Sequence, residues 1–469
     1  MESKGRKVVV IGGGLAGLSS ALLLLRKGFH VTIIEKSSEL GGLAITRSKD
    51  GFKWDLGPHN IHTHHTDVLG FLERTFADMY EHALPSLVYK GGKLLSYPLK
   101  GLKILTSLPP VRLFQAVFSL FLARLRMLLT EPKKDDTFED WIKNRFGGVL
   151  FEEYFHHYPR KVWGLNTRDI DKYVAEKRVP VISLLELIRT LVLRKAPRMS
   201  HPEWSSKNYY LPDGIGEIAN YLSSEFFKAK GEVLFAAQPE SVMVENSSVT
   251  CVVVRSDSGE RREFACDYCL STIPVNDFVR LFPQCSAEVS AAASGLDYVA
   301  SVLLFLKVRR ADVLPAKLLY FSEPTLQYSR LSDVGGFSRK MVPEGQNLLC
   351  LEFPCTVGDA TWGQSLKELT EHAVHTLVER NILREGDVYD SFMERVSHSY
   401  PRFKTGFQDR RKACSSFVAS HRNCLSFGRQ GGFAYVNTDA VLHQGFKAAA
   451  SVAMAESLDF SVSDWFDKV

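Results

Sequence analysis

At 469 residues the chain is too long for one simple domain and comfortable for two or three. Hydrophobic residues make up 45% of it, which supports a sizeable core and excludes wholesale disorder. The net charge of +5 comes from interspersed acids and bases with no long Lys/Arg run, which argues against nucleic-acid binding and suits an anionic small molecule without demanding one.

The N-terminal segment carries the clearest signal. Lys4, Arg6 and Lys7 precede only a four-residue apolar run, too short for a secretory leader. Val8 to Ile11 reads as a buried strand, Leu15 to Lys27 as a helix, and His30 to Ile34 as a second strand ending on Glu35. Gly12, Gly14 and Gly17 stand between the first strand and the helix in G-x-G-x-x-G spacing. Gly12 permits the sharp turn, Gly14 lets backbone approach a pyrophosphate, and Gly17 lets helix and sheet pack closely. The helix start at Leu15 and Ala16 offers N–H groups and a positive dipole end to phosphates. Glu35, with Lys36 beside it, lies eighteen residues past Gly17 and is placed to accept hydrogen bonds from a ribose. Gly41, Gly42 and Leu43 follow. Together these residues resemble the E-x-x-x-x-x-G-G pattern of flavin enzymes in the amine oxidase superfamily.

Next comes a loop, Trp54 to Thr63, broken by Gly57-Pro58. His59, His62, His64 and His65 cluster there. No two are fixed on one helical face and no Cys or acidic partner has a familiar ligand spacing, so no metal is expected. The D-x-G-P-H-x-x-H-T run resembles the histidine loop of UDP-galactopyranose mutases, which implies that Gly57, His59 and His62 border the flavin ring.

From Leu84 to Arg198 glycine thins and apolar-periodic segments dominate: Val111 to Leu129, Thr137 to Arg145, Val149 to His156 and Ile182 to Arg194 read as helices. Arg124 and Arg126 interrupt the first, leaving it too short to span a membrane. It reads as a buried or amphipathic helix, with peripheral membrane contact as the alternative. Tyr158 and Trp163 are read from the residues alone as core aromatics. Their Y-x-x-K-x-W-G context resembles the mutase element that lines the uridine pocket. Lys177-Arg178-Val179-Pro180-Val181 resembles the mutase K-R-x-P-V, whose arginine grips the diphosphate. A second arginine usual after that motif is absent, since Ile182 follows.

The chain then returns through Tyr209 to Gly216 and a helix from Ile218 to Phe226, followed by strands at Val233 to Val244 and Val249 to Arg255. The resemblance implies an adenine contact near Val242 and a closing strand of the cofactor sheet at Asp267 to Pro274. Cys266 and Cys269 lack a second pair and read as core cysteines; the eight cysteines are scattered, which suits a reducing cytoplasm. Val302 to Val308, Leu318 to Phe321 and Leu348 to Phe353 are strands of a second sheet. Arg330 falls in a run resembling F-x-R-x-(S/T), whose arginine is the second diphosphate ligand. Glu352-Phe353-Pro354 echoes E-Y-P, and Leu366 to Asn381 is a helix that compact bacterial mutases lack. Tyr400 and Tyr435 match tyrosines that bind phosphates and sugar. Finally Gly428, Arg429, Asn437 and Asp439 form a G-R-x-G-x-x-x-Y-x-N-x-D run before a helix whose N-terminus can meet the flavin. This second glycine motif is what specifies FAD.

The resemblance therefore implies an α/β chain of two-dinucleotide-binding type: a Rossmann-like FAD-binding domain (1–83, 205–297 and 396–469), a mainly helical insert (84–204) and an antiparallel-sheet substrate domain (298–395). It implies a cytoplasmic, flavin-dependent isomerase, a nucleotide-sugar pyranose/furanose mutase with N5 of reduced FAD as nucleophile at the anomeric carbon and NAD(P)H as an external reductant. His59, His62, Arg178, Arg330, Tyr400 and Tyr435 would be catalytic, and Tyr158 and Trp163 would hold the base. The alternative is an FAD-dependent oxidase or desaturase of protoporphyrinogen oxidase or carotenoid desaturase type. A flavin-binding escort protein is a third class, disfavoured because a scaffold would not need the phosphate glycines and the Arg and aromatic set.

Overall fold

A computed structural model describes residues 5–97, 108–129, 135–179 and 207–454. In chain order, the elements that position the site begin with β1 (Lys7–Ile11), α1 (Leu15–Arg26), β2 (His30–Ile34), β3 (Ser86–Lys90) and β4 (Lys93–Tyr97). Then come α2 (Pro110–Leu129), α3 (Phe138–Phe146), α4 (His157–Trp163), α5 (Lys172–Arg178) and α6 (Gly216–Lys228). Strands β5 (Glu232–Leu234), β6 (Ala237–Glu245), β7 (Ser248–Ser256), β8 (Arg261–Ala265) and β9 (Tyr268–Ser271) follow. Further along lie β10 (Tyr298–Val308), β11 (Leu318–Phe321), β12 (Arg330–Asp333), β13 (Asn347–Cys355), α7 (Leu366–Glu379), β14 (Val388–Pro401), β15 (Cys424–Ser426) and α8 (Thr438–Met454), among shorter or peripheral elements. The chain divides into two compact units.

Unit 1 comprises residues 1–80, 209–298 and 407–469. Its centre is a parallel sheet of order β5-β2-β1-β9-β15. Val8 to Ile11 are buried, as expected for a strand covered on both faces. Helix α1 packs on α6 and α8, and their leucines, alanines and phenylalanines join the strands in one core. The closeness of α1 and α8 depends on Gly445, where a Cβ would lie 2.1 Å from Ser19 Oγ. An antiparallel sheet, β6-β7-β8, also belongs to the unit. Cys269 on β9 stands in register with Cys424 on β15, and both are buried, so these thiols are core residues.

Unit 2 comprises residues 81–208 and 299–406. Its sheet has the order β14-β10-β13-β12-β11-β3-β4. The β10–β13, β13–β12, β12–β11 and β3–β4 pairings are antiparallel, whereas β11 and β3 run parallel. All eleven residues of β10 are buried. Helix α7 starts on a capping box between Ser365 and Glu368 and buries Leu369, Ala373 and Leu377 on this core. Helices α3 and α5 are capped by Thr137, which accepts from Asp140 N–H, and Asp171, which accepts from Tyr173 N–H.

Two local departures from the sequence reading concern unit 2. The stretch read as helix-rich from residue 84 opens with the β3–β4 hairpin. Its partner β11 lies more than two hundred residues away, so no local periodicity reports the pairing. The helix expected over Val149 to His156 is a short turn and then a π-helical turn, Phe151–Phe155, leading into α4. Pro180, Val181 and the helix expected over Ile182 to Arg194 lie outside the described residues.

Candidate functional site

In unit 1 the first glycine turn is built by close approach. Gly12 has φ +100°, and its N–H donates to Ile34 O at 2.8 Å, tying the turn to the end of β2. A Cβ at Gly17 would sit 2.0 Å from Gly12 O, so only glycine lets α1 begin there. A Cβ at Gly14 would meet nothing nearer than Gly42 Cα at 3.9 Å, and no side chain caps the start of α1. Leu15 and Ala16 are buried just inside that start. Gly41 N–H donates to Gly13 O at 2.8 Å, and Gly14 and Gly41 form a bridge. The second glycine pair thus lines the first, with Leu43 half-buried after it. Glu35 accepts from Gly13 N–H at 2.7 Å through one oxygen and from Ser37 N–H at 2.8 Å through the other, so it also braces the loop; Lys36 is exposed.

The C-terminal motif closes on the same turn. A Cβ at Gly428 would lie 3.1 Å from Ala16 Cβ. Gly428 N–H donates to Gln444 Oε1 at 2.9 Å, while Gln444 Nε2 is buried with no partner among the described residues. Arg429 donates through Nε to Val436 O at 2.9 Å, and Asn437 O accepts from Val441 N–H in the entry to α8. Asp439 is buried at the start of α8. Burial raises its carboxyl pKa, against a hydrogen bond from Thr63 and the influence of His62 and His64. The histidine loop and the C-terminal motif are therefore neighbours. Within the loop, Gly57 has φ +89° and its carbonyl lies 3.1 Å from His59 Nδ1. Tyr435 is half-buried. Val242 is buried on β6, and its N–H is taken by Leu281 O at 2.9 Å.

Sequence reading passed over two unit 1 constellations. Asp55 is buried and accepts from Thr46 Oγ1 and Tyr210 OH, each at 2.6 Å, and from Ile215 N–H. Burial pushes its pKa up to about 6, although each of these hydrogen bonds favours the ionised form. The second is a histidine stack. His443 lies 2.7 Å from Asp67 through Nδ1, and its ring stacks on His65 at 4.1 Å and 12°. Burial, then His443 and His64, lower the His65 pKa to about 4. Donor atoms of His65, Asp67 and His443 all lie within 4.8 Å of one another. Near-parallel rings aim their lone pairs alongside each other rather than at a shared point, a geometry suited to stacking more than to joint ligation.

Unit 2 gathers four of the expected substrate residues. Arg330 at the head of β12 pairs with Glu352 on β13, Nε to Oε1 and Nη2 to Oε2, the latter at 2.8 Å. The fork uses two of the five guanidinium N–H groups and fixes its plane. Burial alone would lower the Arg330 pKa; Glu352, Tyr400 and Tyr320 outweigh it and hold the cation charged. The Arg330 guanidinium lies 6.0 Å from the Tyr320 ring centre, and Tyr158 meets that ring edge-on at 5.8 Å. Trp163 is buried, edge-on to Tyr400 at 6.3 Å and to Phe403 at 5.5 Å. Arg178 is half-buried at the end of α5. Lys161, unremarked in the sequence except as a motif letter, donates to Phe321 O, Glu323 O and Tyr328 O, which ties α4 to the β11–β12 connection. Burial lowers its pKa to about 8. Glu352 was legible only as an echo of a motif, and nothing in the sequence pairs it with Arg330.

The sequence pattern described as flavin containing amine oxidoreductase matches residues 15–384. Among curated proteins, the dTDP-fucopyranose mutase of Escherichia coli is 27% identical over 182 residues, 37% of this chain and 46% of that protein. The 4,4'-diapolycopene oxygenase of Methylomonas sp is 51% identical over 53 residues, 11% of each chain. These alignments span less than half the length of either relative. Reduced UDP-galactopyranose mutase has the same fold, with a TM-score of 0.81 at 22% identity over 96% of both chains. Wild-type putrescine oxidase bound to putrescine aligns over 96% of this chain and 99% of its own, with a TM-score of 0.64 at 15% identity. The cofactor implied is a flavin. The unit 1 residues fit one: an uncapped helix start, an open face at Gly14 and a buried donor at Gln444 meet at one turn.

Proposed function

The chain belongs to the flavin containing amine oxidoreductase family, and from that premise we propose that it is an FAD-dependent nucleotide-sugar pyranose/furanose mutase. The observation that carries the reading is the gathering of Tyr158, Trp163, Arg330 and Tyr400 within unit 2 around a guanidinium oriented by Glu352. An oriented cation of this kind is suited to the charge that develops on a departing diphosphate. Bound FAD, once reduced by NAD(P)H or a chemical donor, supplies an electron-rich N5 for the anomeric carbon. Arg330 binds the diphosphate oxygens, with Arg178 as the second cation. Tyr400 and Tyr435 donate hydrogen bonds to phosphate and sugar, and Tyr158 and Trp163 hold the base. His59 and His62 shape the surroundings of the flavin. Gly12, Gly14, Gly41, Gly42, Gly428 and Arg429 hold the dinucleotide, with Glu35 toward its ribose.

The test is anaerobic incubation of the dithionite-reduced protein with UDP-galactofuranose and with the furanose form of dTDP-fucose, followed by chromatography. The pyranose isomer should appear with reduced protein and not with oxidised protein. Failure with every nucleotide sugar, joined to bleaching of the flavin by a polyene, would replace this reading with that of an oxidase or desaturase. The match to a diapolycopene oxygenase supports keeping that second reading in the experiment.

A further inference from the structure

Helix α2 has two apolar faces. Ala116, Leu120 and Ala123 are buried on one, where the helix packs against α3 and the turn at Gly148–Leu150. The other is a stripe of Val111, Phe114, Phe118, Phe121, Leu125 and Leu129, spaced by three or four residues and therefore aligned along the axis. Val111, Phe114 and Leu129 are each more than 70% exposed. Of the fifteen large apolar side chains exposed among the described residues, eight are on this one helix. Apolar surface gathered to that degree marks an interaction site rather than ordinary surface. No helix among the described residues is long and apolar enough to cross a membrane.

We propose that α2 docks unit 2 on an anionic lipid surface, lying in the plane of the interface with its phenylalanine stripe among the acyl chains. Charge selects this occupant. At about 100° per residue, Arg126 borders the stripe, and the exposed Arg112 stands in the first turn beside it, whereas Arg124 is half-buried toward Arg145 on α3. No acidic residue lies on α2. Glu153 approaches Arg112 at 3.7 Å, but Arg112 remains largely exposed. Exposed cations beside an apolar stripe sit at headgroup depth when the stripe enters a bilayer. A second copy meeting the same face across a two-fold axis would set these arginines against one another.

The experiment is sedimentation of the full chain with sucrose-loaded vesicles of phosphatidylcholine alone and of an equimolar mixture with phosphatidylglycerol. The protein should partition onto the mixed vesicles and far less onto neutral ones, with binding weakened by salt. The triple change Phe114→Ser, Phe118→Ser and Phe121→Ser should abolish binding while leaving the bound-flavin spectrum unchanged. Arg112→Gln with Arg126→Gln should weaken binding roughly thirty-fold. Because all five side chains are exposed or border the stripe, neither variant is expected to perturb the core. Equal recovery of wild type and both variants with the vesicles would overturn the proposal. So would light scattering that shows a wild-type dimer, dissociated by the serine variant, with no vesicle binding.

Discussion

At the scale of single residues, partnership decides what a charge can do. Glu352 fixes the plane of Arg330, which the proposed diphosphate site requires, and Glu352 is tolerable in the core because Arg330 neutralises it. Arg330→Ala would strand a buried carboxylate and should cost about 3–5 kcal/mol of stability as well as diphosphate binding. Glu352→Gln is therefore the sharper variant. It keeps the cation but loses the ionic fork, so UDP affinity measured by calorimetry should fall while the flavin spectrum stays intact. Asp55 makes a separate claim, testable by pH. Its carboxyl rises from 3.8 to about 6 on folding, so the folded chain holds a proton that the unfolded chain has released. Stability from this site is complete below about pH 4 and is lost as pH rises through about 6. Denaturant titrations of wild type and Asp55→Asn should show the wild-type advantage shrinking by about 3 kcal/mol across that window.

At the scale of elements, the β1–α1–β2 unit was legible because its signal is local: a buried strand, three glycines and a helix within thirty residues. The two glycines Gly14 and Gly17 look alike in sequence and differ in the fold. Gly17→Ala places a Cβ against the Gly12 carbonyl, a backbone atom that cannot swing aside, and should destabilise by about 3 kcal/mol or more. Gly14 has φ −68° and open space beside it, so Gly14→Ala should fold normally and lose flavin occupancy. Thermal melts paired with the visible absorbance of bound flavin separate the two outcomes. The β3–β4 hairpin was illegible for the opposite reason: Ser86 to Tyr89 find their partners at Leu318 to Phe321. Lys161 is similar, since three carbonyls beyond residue 320 decide that it is a strut.

At the scale of the molecule, each unit has its own buried core. The glycines proposed to hold the flavin, Gly12, Gly41 and Gly428, belong to unit 1, whereas Arg330, Tyr158 and Trp163, proposed to hold the substrate, belong to unit 2. Removal of flavin should therefore lower one calorimetric transition and leave the other in place. At a free flavin concentration near a hundred times Kd the shift should be about 5–10 °C. A single transition moving as a whole would show that the units unfold together.

The strand order of the parallel sheet also dictates a timetable. Strand β1 sits between β2, made almost at once, and β9, while the sheet is closed by β15 at Cys424–Ser426. At roughly 5–20 residues per second, a ribosome delivers β15 about 8–30 s after β9 has emerged. Unit 2 ends at Gly406 and is complete before that moment. The nascent chain thus carries a finished insertion while β9 still lacks its neighbour β15, and that interval is when Tyr268 to Ser271 most need shielding by a chaperone.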